Sequence, residues 1–461
     1  MEELHKALKD QGEVIISQSP YVAVPIKDEE SPESKCEWCF SSSSIKACSA
    51  CRAVWYCSRE CQRSDWMLHR VECKASKIVT EMMKPLTPVM RLLVKLYIRR
   101  KLENEKIFPA TATDNYKLVE ALVSNISELD VELLLLSAQM AKLVSSALQL
   151  PDSEINMKEI VENFGKISCN SHSIDNSDLK FVGTGLYPVI SFTNHSCAPN
   201  SFVVFEGRLA VMRAMQHMPK DTEVLTSYIE LSDSTMTRQK FLKEKYCFTC
   251  SCSRCIKLGQ PDDIRETAIV EGYWCKKSDC DGFLLCGSDN KGFVCQKCGL
   301  VRDNKEISTI TNELKCISDK ASISLSFDTT EASVAYKRVE ELELKLYHPF
   351  SISIMRTRAK LLKISMDLDD MEGALLNIRS IIQIYERVYP KWHPLIGARC
   401  YLCGQIEMEL GYMVGAIESL TKAYNVFRIT HGTNSPLTMK ITSKLAEARA
   451  KALASFGRMK I

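Results

Sequence analysis

The sequence predicts an α+β protein with a zinc-rich front part and a helical C-terminal part. Eighteen of the 21 cysteines come before Glu306, and they fall into dense groups with the spacing of metal ligands. After Glu306, apolar residues recur at positions i, i+3, i+4 and i+7, which is the period of an amphipathic helix. The chain has 461 residues, enough for two to four domains. The β part of this prediction depends on the motifs described below.

Composition excludes several classes of protein. Hydrophobic residues make up 45% and charged residues 25%, which argues against collagen-like, coiled-coil and mostly disordered chains. The net charge of +3 gives no support for a general nucleic-acid or membrane binder. The most basic stretch, Val94 to Lys106, is interpreted as a solvated helix face. The apolar stretch from Val131 to Leu150 contains Lys142, so we expect a core helix and not a membrane span.

The cysteines are expected to be reduced thiols. The first residues, MEELHKALKDQGEV, contain no apolar run typical of a signal peptide. Disulfides are rare in proteins that are not secreted. Many cysteines in such a chain point to zinc.

The first cysteine group supplies eight ligands, enough for two tetrahedral zinc ions. Two of its pairs, Cys57 with Cys61 and His69 with Cys73, are four residues apart and would share one face of a short helix. The eight residues are Cys36, Cys39, Cys48, Cys51, Cys57, Cys61, His69 and Cys73.

With the aromatic residues of VWYCSRECQRSDWMLHRVEC, this group resembles a MYND zinc finger. The interleaved pairing of that family implies that Cys36, Cys39, Cys57 and Cys61 bind one ion. It assigns the other ion to Cys48, Cys51, His69 and Cys73. A module this small cannot build a sufficient core, so the metal supplies folding energy. The resemblance implies binding of proline-containing peptides; bracing of the neighbouring domain is the alternative.

Three later segments carry a second resemblance. They are GTGLYPVISFTNHSCAPNS (183–201), EVLTSYIEL around Tyr228, and KYCFTCSCSRC (245–255). In this order they resemble a SET-domain lysine methyltransferase. Together with the finger and the helical C-terminal part, they resemble the SET and MYND (SMYD) family across nearly the whole chain. RETAIVEGYWC, GFVCQKCGL and RVYPKWHPLIGA look most like its plant ASH-related branch.

This resemblance implies methyl transfer from S-adenosylmethionine to a lysine of a protein, such as a histone tail. Tyr228 and Tyr246 would be the catalytic aromatic residues of the lysine channel. Phe248 would pack on the adenine of the cofactor. Further cofactor contacts would come from Asn125, Asn170, Asn194 and His195. At His172, relatives carry an aromatic residue that lines the channel, so substrate preference is expected to differ here.

The chemistry explains why aromatic residues are needed. The attacking lysine must be neutral, although its ordinary pKa is near ~10.4. Desolvation in a narrow apolar channel favours the neutral amine. Alignment of two bound reactants then supplies much of the rate.

Two further zinc sites are predicted. Cys250, Cys252 and Cys255 give three ligands at short range, and the resemblance implies Cys197 as the fourth, leaving Cys247 as a spare thiol. The second site would be a small zinc ribbon. Its ligands would be Cys275, Cys280, Cys295 and Cys298, with Cys286 as a competing ligand. The alternative is that these are simple buried cysteines without a metal.

One expected element is missing from the sequence. SET domains normally begin with a glycine-rich turn near the cofactor, but Gly12 is the only glycine before Gly165. We expect the first strand to be absent or replaced by a helix over Glu2 to Asp10. The competing hypothesis is therefore a zinc-stabilised adaptor that binds the cofactor poorly.

The C-terminal part contains an internal repeat. Gly373-Ala374, Tyr385 and His393-Pro394-Leu395 recur 42 residues later as Gly415-Ala416, Phe427 and Ser435-Pro436-Leu437. This period is typical of tetratricopeptide-like helical hairpins. The hairpins form either a concave wall for substrate or partners, or a scaffold with no binding role.

The predicted domains follow from these motifs. We expect a monomer that contacts neither membrane nor nucleic acid, located in the nucleus, the cytoplasm or both. The boundaries are 1–35 for the N-terminal SET part, 36–73 for the MYND finger, 74–160 for a helical insert, 161–231 for the SET core, 232–260 for the post-SET zinc knot, 261–305 for the ribbon and 306–461 for the helical repeats.

Overall fold

The computed structural model describes residues 10–26, 35–81, 87–128, 131–148, 156–287 and 292–458. It is an α+β protein, so the predicted fold class is confirmed. The chain forms two compact units. The first unit comprises the described parts of Met1–His195, Asn200–Thr226 and Lys243–Phe248, and the second comprises Ser196–Pro199, Ser227–Leu242 and the described part of Thr249–Ile461. The predicted domain boundaries stay predictions.

The first unit contains ten strands and six helices among its described residues. The strands are β1 (Val14–Gln18), β2 (Val22–Pro25), β3 (Lys46–Ala47), β4 (Trp55–Tyr56), β5 (Ser171–Asp175), β6 (Phe181–Leu186), β7 (Asn194–His195), β8 (Ser201–Glu206), β9 (Leu209–Ala214) and β10 (Leu225–Thr226). The helices are α1 (Arg59–Glu81), α2 (Pro88–Asn104), α3 (Tyr116–Glu120), α4 (Val131–Leu148), α5 (Met157–Asn170) and α6 (Pro188–Ser191).

Helix α7 (Thr235–Tyr246) begins in the second unit and ends in the first. The described remainder of the second unit contains a four-stranded sheet and eight helices. These elements are α8 (Pro261–Val270), β11 (Tyr273–Trp274), β12 (Phe283–Cys286), β13 (Gly292–Cys295), β14 (Val301–Asp303), α9 (Asn304–Ser324), α10 (Thr329–Leu346), α11 (Ile352–Asp367), α12 (Met371–Val388), α13 (Pro394–Glu409), α14 (Met413–Thr430) and α15 (Pro436–Arg458).

Small sheets form the β part of the first unit. Two are three-stranded and antiparallel, with the orders β1-β9-β8 and β2-β6-β5. Strands β7 and β10 form a short parallel pair. Both glycines of the 183–185 pair lie in β6, and a Cβ at Gly183 would lie 2.9 Å from the Val24 carbonyl oxygen. Glycine at this position therefore lets β2 and β6 pack closely.

Helix α2 is the centre of the helical core of the first unit. Thr87 caps its first turn by accepting a hydrogen bond from the Met90 amide, and Pro88 fixes the first helical residue. Buried apolar residues on more than one face pack against β2, α5 and the finger helix α1. A helix buried on several faces carries few free positions for solvated charges.

The interpretation of Val94 to Lys106 as a solvated face is wrong for its inner residues. Lys95 is 2% exposed and Arg99 is 3% exposed. The Arg99 guanidinium lies over the Tyr21 ring, 4.1 Å from its centroid, and donates to the Tyr21 carbonyl oxygen and to the Asp114 carboxylate. Sequence periodicity missed this because each buried cation is paired, and pairing is decided by residues distant in sequence.

Lys95 lies among three buried carboxylates. Its ammonium is 2.9 Å from Glu37, 3.6 Å from Asp65 and 3.7 Å from Glu72. Arg91 binds the same cluster, 2.6 Å from Glu37 and 3.3 Å from Glu72. Although burial opposes it, the carboxylates raise the pKa of Lys95, so the charged form persists at all physiological pH values. The cluster joins α2 to the finger residues 36–73.

The helix expected over the apolar stretch is present as α4. Its role as a core helix is only partly right, because Val131 and Leu135 are more than half exposed whereas Ser137 and Ser145 are buried. Among the described residues, no helix has the length and apolarity needed to cross a bilayer.

The 42-residue repeat corresponds to two helical hairpins. Helices α12 and α14 begin 42 residues apart, as do α13 and α15. The alanines of the two Gly-Ala pairs are fully buried, and Tyr385 and Phe427 are buried at equivalent positions. Both second helices begin with proline after a capping residue, His393 or Ser435. The predicted helical repeat is confirmed.

We expect replacement of Lys95 by methionine to lower the free energy of unfolding by about 3–5 kcal/mol, because three buried carboxylates lose their central cation. Lys101 on the same helix is exposed, so Lys101→Met is the matched control. Urea denaturation of the zinc-loaded chain, followed by tryptophan fluorescence, measures both variants. Equal midpoints for the two variants would contradict this prediction.

Candidate active site and zinc clusters

The finger residues form two tetrads of metal-binding side chains. In each tetrad the four ligand atoms lie within 4.8 Å of one another. The first contains Cys36, Cys39, Cys57 and Cys61, and the second contains Cys48, Cys51, His69 and Cys73. This is the interleaved pairing that the resemblance implied. Helix α1 supplies Cys61, His69 and Cys73 at spacings of eight and four residues, which place them along one side of the helix. The β3–β4 hairpin lies in sequence between Cys39 and Cys57 of the first tetrad.

The two ring nitrogens of His69 face different partners. Its Nε2 is 3.8 Å from Cys51 Sγ, whereas its Nδ1 is 3.5 Å from Glu72 Oε2. A metal-ligating histidine commonly donates its second ring N–H to a carboxylate, which fixes the tautomer. Glu72 also belongs to the Lys95 cluster, so the second tetrad is oriented from helix α2.

A third tetrad lies wholly within the second unit. It joins Cys197 to Cys250, Cys252 and Cys255, and the Cys197 and Cys255 sulfurs are 3.5 Å apart. The Gln239 side chain of α7 holds this knot by donating to the Cys250 carbonyl oxygen and accepting from the Cys250 amide. Cys247 takes no part in the tetrad.

The fourth tetrad is the ribbon set of Cys275, Cys280, Cys295 and Cys298. The competing Cys286 is exposed at the end of β12 and lies outside the tetrad. Gly282 lies against the cluster, where a Cβ would come within 2.6 Å of Cys295 Sγ. A larger residue at 282 would therefore displace a ligand.

All four tetrads fit zinc and none fits a disulfide. Each of the 21 cysteines is a free thiol, and the closest sulfur pairs within the tetrads are 3.4–4.0 Å apart. A tetrahedral zinc with Zn–S bonds near 2.3 Å separates its sulfurs by about 3.8 Å. The thiol and imidazole donors are also those that zinc prefers.

Asn125 connects two parts of the first unit that are far apart in sequence. Its side-chain amide donates to the Tyr246 carbonyl oxygen at 3.1 Å and lies 3.7 Å from Cys169 Sγ. Its φ of 50° is in the left-handed region that asparagine tolerates better than most residues. Asn125 thus holds the backbone of Tyr246 from the loop before α4. Burial raises the pKa of Tyr246 to about 12, so its hydroxyl is protonated at neutral pH.

A second contact between distant segments of the chain joins two aromatic rings. The His195 and Phe248 rings are 5.9 Å apart at an interplanar angle of 59°. Strand β7 places His195 beside Thr226 of β10, and the Asn194 amide donates to Glu223 at 2.7 Å. All five predicted cofactor residues and the predicted channel residue Tyr246 thus lie in the first unit. Contacts join Asn125 to Tyr246 and His195 to Phe248.

Asn170 ends helix α5 and uses its amide locally. It donates to the Val123 and Lys166 carbonyl oxygens at 2.8 and 2.7 Å, and its own carbonyl oxygen accepts from Ser191. Two residues on, His172 Nε2 is 3.3 Å from Ser191 Oγ. Burial lowers the pKa of His172 to about 4, so this ring is neutral at physiological pH.

Tyr228 belongs to the second unit. It lines a cavity of about 300 Å³ whose walls also include carboxylate and aromatic side chains. The other lining residues are Ser227, Ile229, Glu230, Asp233, Arg238 and Phe241. Arg238 is buried and donates to the Asp233 carbonyl oxygen and to Thr235 Oγ1, so it ties the lining residue Asp233 to the first residue of α7.

The N-terminal predictions fall mostly on residues that are not described. The helix expected over Glu2 to Asp10 lies outside the described residues except for its last member. Gly12 has a φ of 87°, and its amide donates to the Ala214 carbonyl oxygen as β1 enters the sheet. The loss of a glycine-rich turn therefore stays a prediction.

Comparison with known proteins shows the family to which the chain is related. The MYND finger family model matches residues 36–73. The chain is 51% identical to the histone-lysine N-methyltransferase ASHR1 of Arabidopsis thaliana, over 96% of this chain and 92% of that protein. The chain belongs to the SET and MYND family of lysine methyltransferases. It is also 26% identical to the N-lysine methyltransferase SMYD2 of Homo sapiens, over 94% of this chain and 93% of that protein. Family and branch are as predicted.

Several supporting residues of this family member were not predicted from sequence. Glu223 binds Asn194, Gln239 binds the zinc knot and Glu72 binds His69. Each is a common polar residue without a distinctive motif. Only Glu72, three residues after His69 on one helix, carried a local signal, because residues at i and i+3 are neighbours on a helix.

We expect Asn125→Ala to weaken S-adenosylhomocysteine binding about threefold to tenfold, because the Tyr246 backbone loses a hydrogen bond worth about 1 kcal/mol. Asn125→Gly is the matched variant, since glycine keeps the left-handed backbone but lacks the amide. Calorimetric titration should show weaker binding for both variants. Wild-type affinity in Asn125→Gly would show that only backbone strain matters.

Proposed function

We propose that this protein methylates lysine side chains of other proteins, with S-adenosylmethionine as methyl donor and histone tails as the substrate class. Support comes from its membership of the SET and MYND family and from the name of its relative ASHR1, a histone-lysine N-methyltransferase. The observation that carries the proposal is the assembly of Asn125, Tyr246, His195 and Phe248, which come from three distant segments of the chain.

The residues present fit this cofactor. S-adenosylmethionine supplies an electrophilic methyl group on a sulfonium when it is bound. The ring of Phe248, held against His195, offers an apolar face suited to an adenine. The Asn194 side chain and the β7 backbone offer polar groups beside it.

Tyr246 and Tyr228 are the two proposed catalytic tyrosines. Tyr246 is protonated at neutral pH, so its hydroxyl can hold a neutral amine by hydrogen bonding without adding charge. Tyr228 is proposed as the residue at the end of the channel. A half-buried aromatic surface excludes water and favours the neutral form of the lysine. His172, on the strand that follows Asn170, is neutral at physiological pH and so adds no positive charge there.

Four zinc ions per chain are proposed, one for each tetrad. The finger and knot ions maintain segments too small to fold on an apolar core alone. The knot ion also fixes the chain immediately after Phe248, because Cys250 is a ligand. Zinc thus acts on structure and only through structure on catalysis.

The partners and location remain part of the proposal. We propose a monomer in the nucleus, the cytoplasm or both, which recognises protein lysines without contacting membrane or nucleic acid. The MYND finger is proposed to bind proline-containing peptides in addition to supporting helix α2.

The first test is calorimetric titration of the zinc-loaded chain with S-adenosylhomocysteine. We expect a dissociation constant of tens of micromolar or lower, about −6 kcal/mol or stronger. On a panel of histone peptides, Tyr228→Phe should lower kcat by about tenfold to a hundredfold, because the amine loses its orienting hydroxyl. A folded, zinc-loaded wild-type chain that neither binds nor transfers methyl would refute the enzyme and favour an adaptor.

Zinc content tests the four-ion proposal directly. Inductively coupled plasma mass spectrometry should find about four zinc ions per chain, since four closed ligand sets are present. Cys298→Ser should lose one ion, whereas Cys286→Ser, the neighbouring cysteine outside the tetrad, should lose none. Equal loss in both variants would place the ribbon ligands elsewhere.

A further inference from the structure

The segment that follows Tyr228 is held from two sides within the second unit. We define residues 227–233 as the Tyr228 turn. Tyr228 and Glu230 line the same cavity of about 300 Å³. The position of Glu230 therefore shapes the space beside the Tyr228 ring.

The zinc knot holds the turn on one side. Arg254, which lies between the ligands Cys252 and Cys255, donates to the Leu231 carbonyl oxygen at 2.9 Å. Its other terminal nitrogen is 2.6 Å from the Glu266 carboxylate of α8. The guanidinium is thus fixed at both ends.

The helical repeats hold the turn on the other side. The Tyr389 hydroxyl donates to Glu230 Oε1. The same oxygen accepts the backbone amides of Leu231 at 2.7 Å and Ser232 at 3.1 Å. One carboxylate oxygen thus joins the turn backbone to a helical-repeat side chain. Arg356 of α11 adds a weaker contact, 3.5 Å from Asp233.

Tyr389 is itself rigidly held. It is 7% exposed, and its ring stacks on His393 at 4.5 Å and meets Tyr385 edge-on at 5.0 Å. It lies at the junction where α12 ends, and His393 caps the start of α13. Burial lowers the pKa of His393 to about 4, so the stack contains no charge at neutral pH. The hydroxyl therefore has a fixed position.

We propose that Tyr389 is a positioning residue for methyl transfer: its hydroxyl fixes Glu230, and Glu230 fixes the turn that carries Tyr228. The inference rests on the proposed function. It gives the helical repeats a defined part in the reaction, namely setting the channel tyrosine through one hydrogen bond. Without that bond Glu230 keeps the two backbone amides of its own turn, so the turn loses this link to the helical repeats, and Glu230 is an exposed residue that can move with it. Small misplacement of an orienting group is costly when catalysis depends on alignment.

Tyr389→Phe is the direct test, because it keeps both ring contacts and removes only the hydroxyl. We expect kcat to fall about tenfold, with the KM for S-adenosylmethionine within about twofold of wild type. Tyr412→Phe is the matched control, since the Tyr412 hydroxyl donates in the same way to Glu372 at 2.7 Å within the repeats. This control should retain wild-type turnover.

A double-mutant cycle shows whether the effect passes through Glu230. Glu230→Ala should lower kcat by a similar factor, and the double variant Tyr389→Phe/Glu230→Ala should be no slower than either single variant. Glu230→Gln keeps the acceptor oxygen and should recover most of the lost rate. Hydrogen–deuterium exchange should show faster exchange at residues 227–233 in Tyr389→Phe and not in Tyr412→Phe.

The outcomes separate this inference from the function on which it rests. An inactive wild-type chain would overturn both. An active wild type with unchanged kcat in Tyr389→Phe, or with multiplicative effects in the double variant, would overturn only the positioning role. Equal rate losses in Tyr389→Phe and Tyr412→Phe would assign the effect to general weakening of the repeats and would also overturn it.

Discussion

Metal coordination holds together the segments of this protein that have little apolar core of their own. Three short cysteine-rich segments, joined by the distant Cys197, supply the ligands of four tetrads. Each segment is too short to fold on an apolar core alone. One tetrad reaches from Cys197 to Cys255 and so closes a long stretch of chain that includes Tyr228, Tyr246 and Phe248. The metal sites therefore do more than stabilise small modules. They fix the ends of the segments that carry the proposed catalytic residues.

Buried charge extends this constraint beyond the metal ligands. Glu72 lies between His69 of the finger and Lys95 of helix α2. A buried ion pair is weak evidence for stability, because desolvation offsets most of the Coulomb energy, but removal of one partner is severe. Such a cluster specifies one way of packing the finger on the helical core. This favours a supporting role for the finger in addition to any peptide that it binds.

The proposed chemistry requires alignment more than strong acids or bases. Asn125 holds Tyr246 through its backbone, and Arg254 and Tyr389 hold the turn after Tyr228. These holding residues come from a loop, a zinc knot and a helical repeat. Catalytic positioning in this protein is thus spread across modules that look separate in the sequence. The helical repeats contribute to the reaction through the turn, whether or not they also bind a partner.

Features that depend on local spacing could be predicted from the amino-acid sequence. The ligand tetrads follow from cysteine spacing and family resemblance, and the helical hairpins follow from the 42-residue repeat, because chelating turns and helices are set by near neighbours. The burial of charged residues and the side chains that orient the site depend on tertiary packing and could not be predicted in this way. Lys95 and Arg99 looked like a solvated face until their partners, up to 79 residues away, were in place. Tyr389 and Glu230 are 159 residues apart, and neither carries a motif. Pairing at such distances is fixed by packing of the whole chain, which no local pattern records.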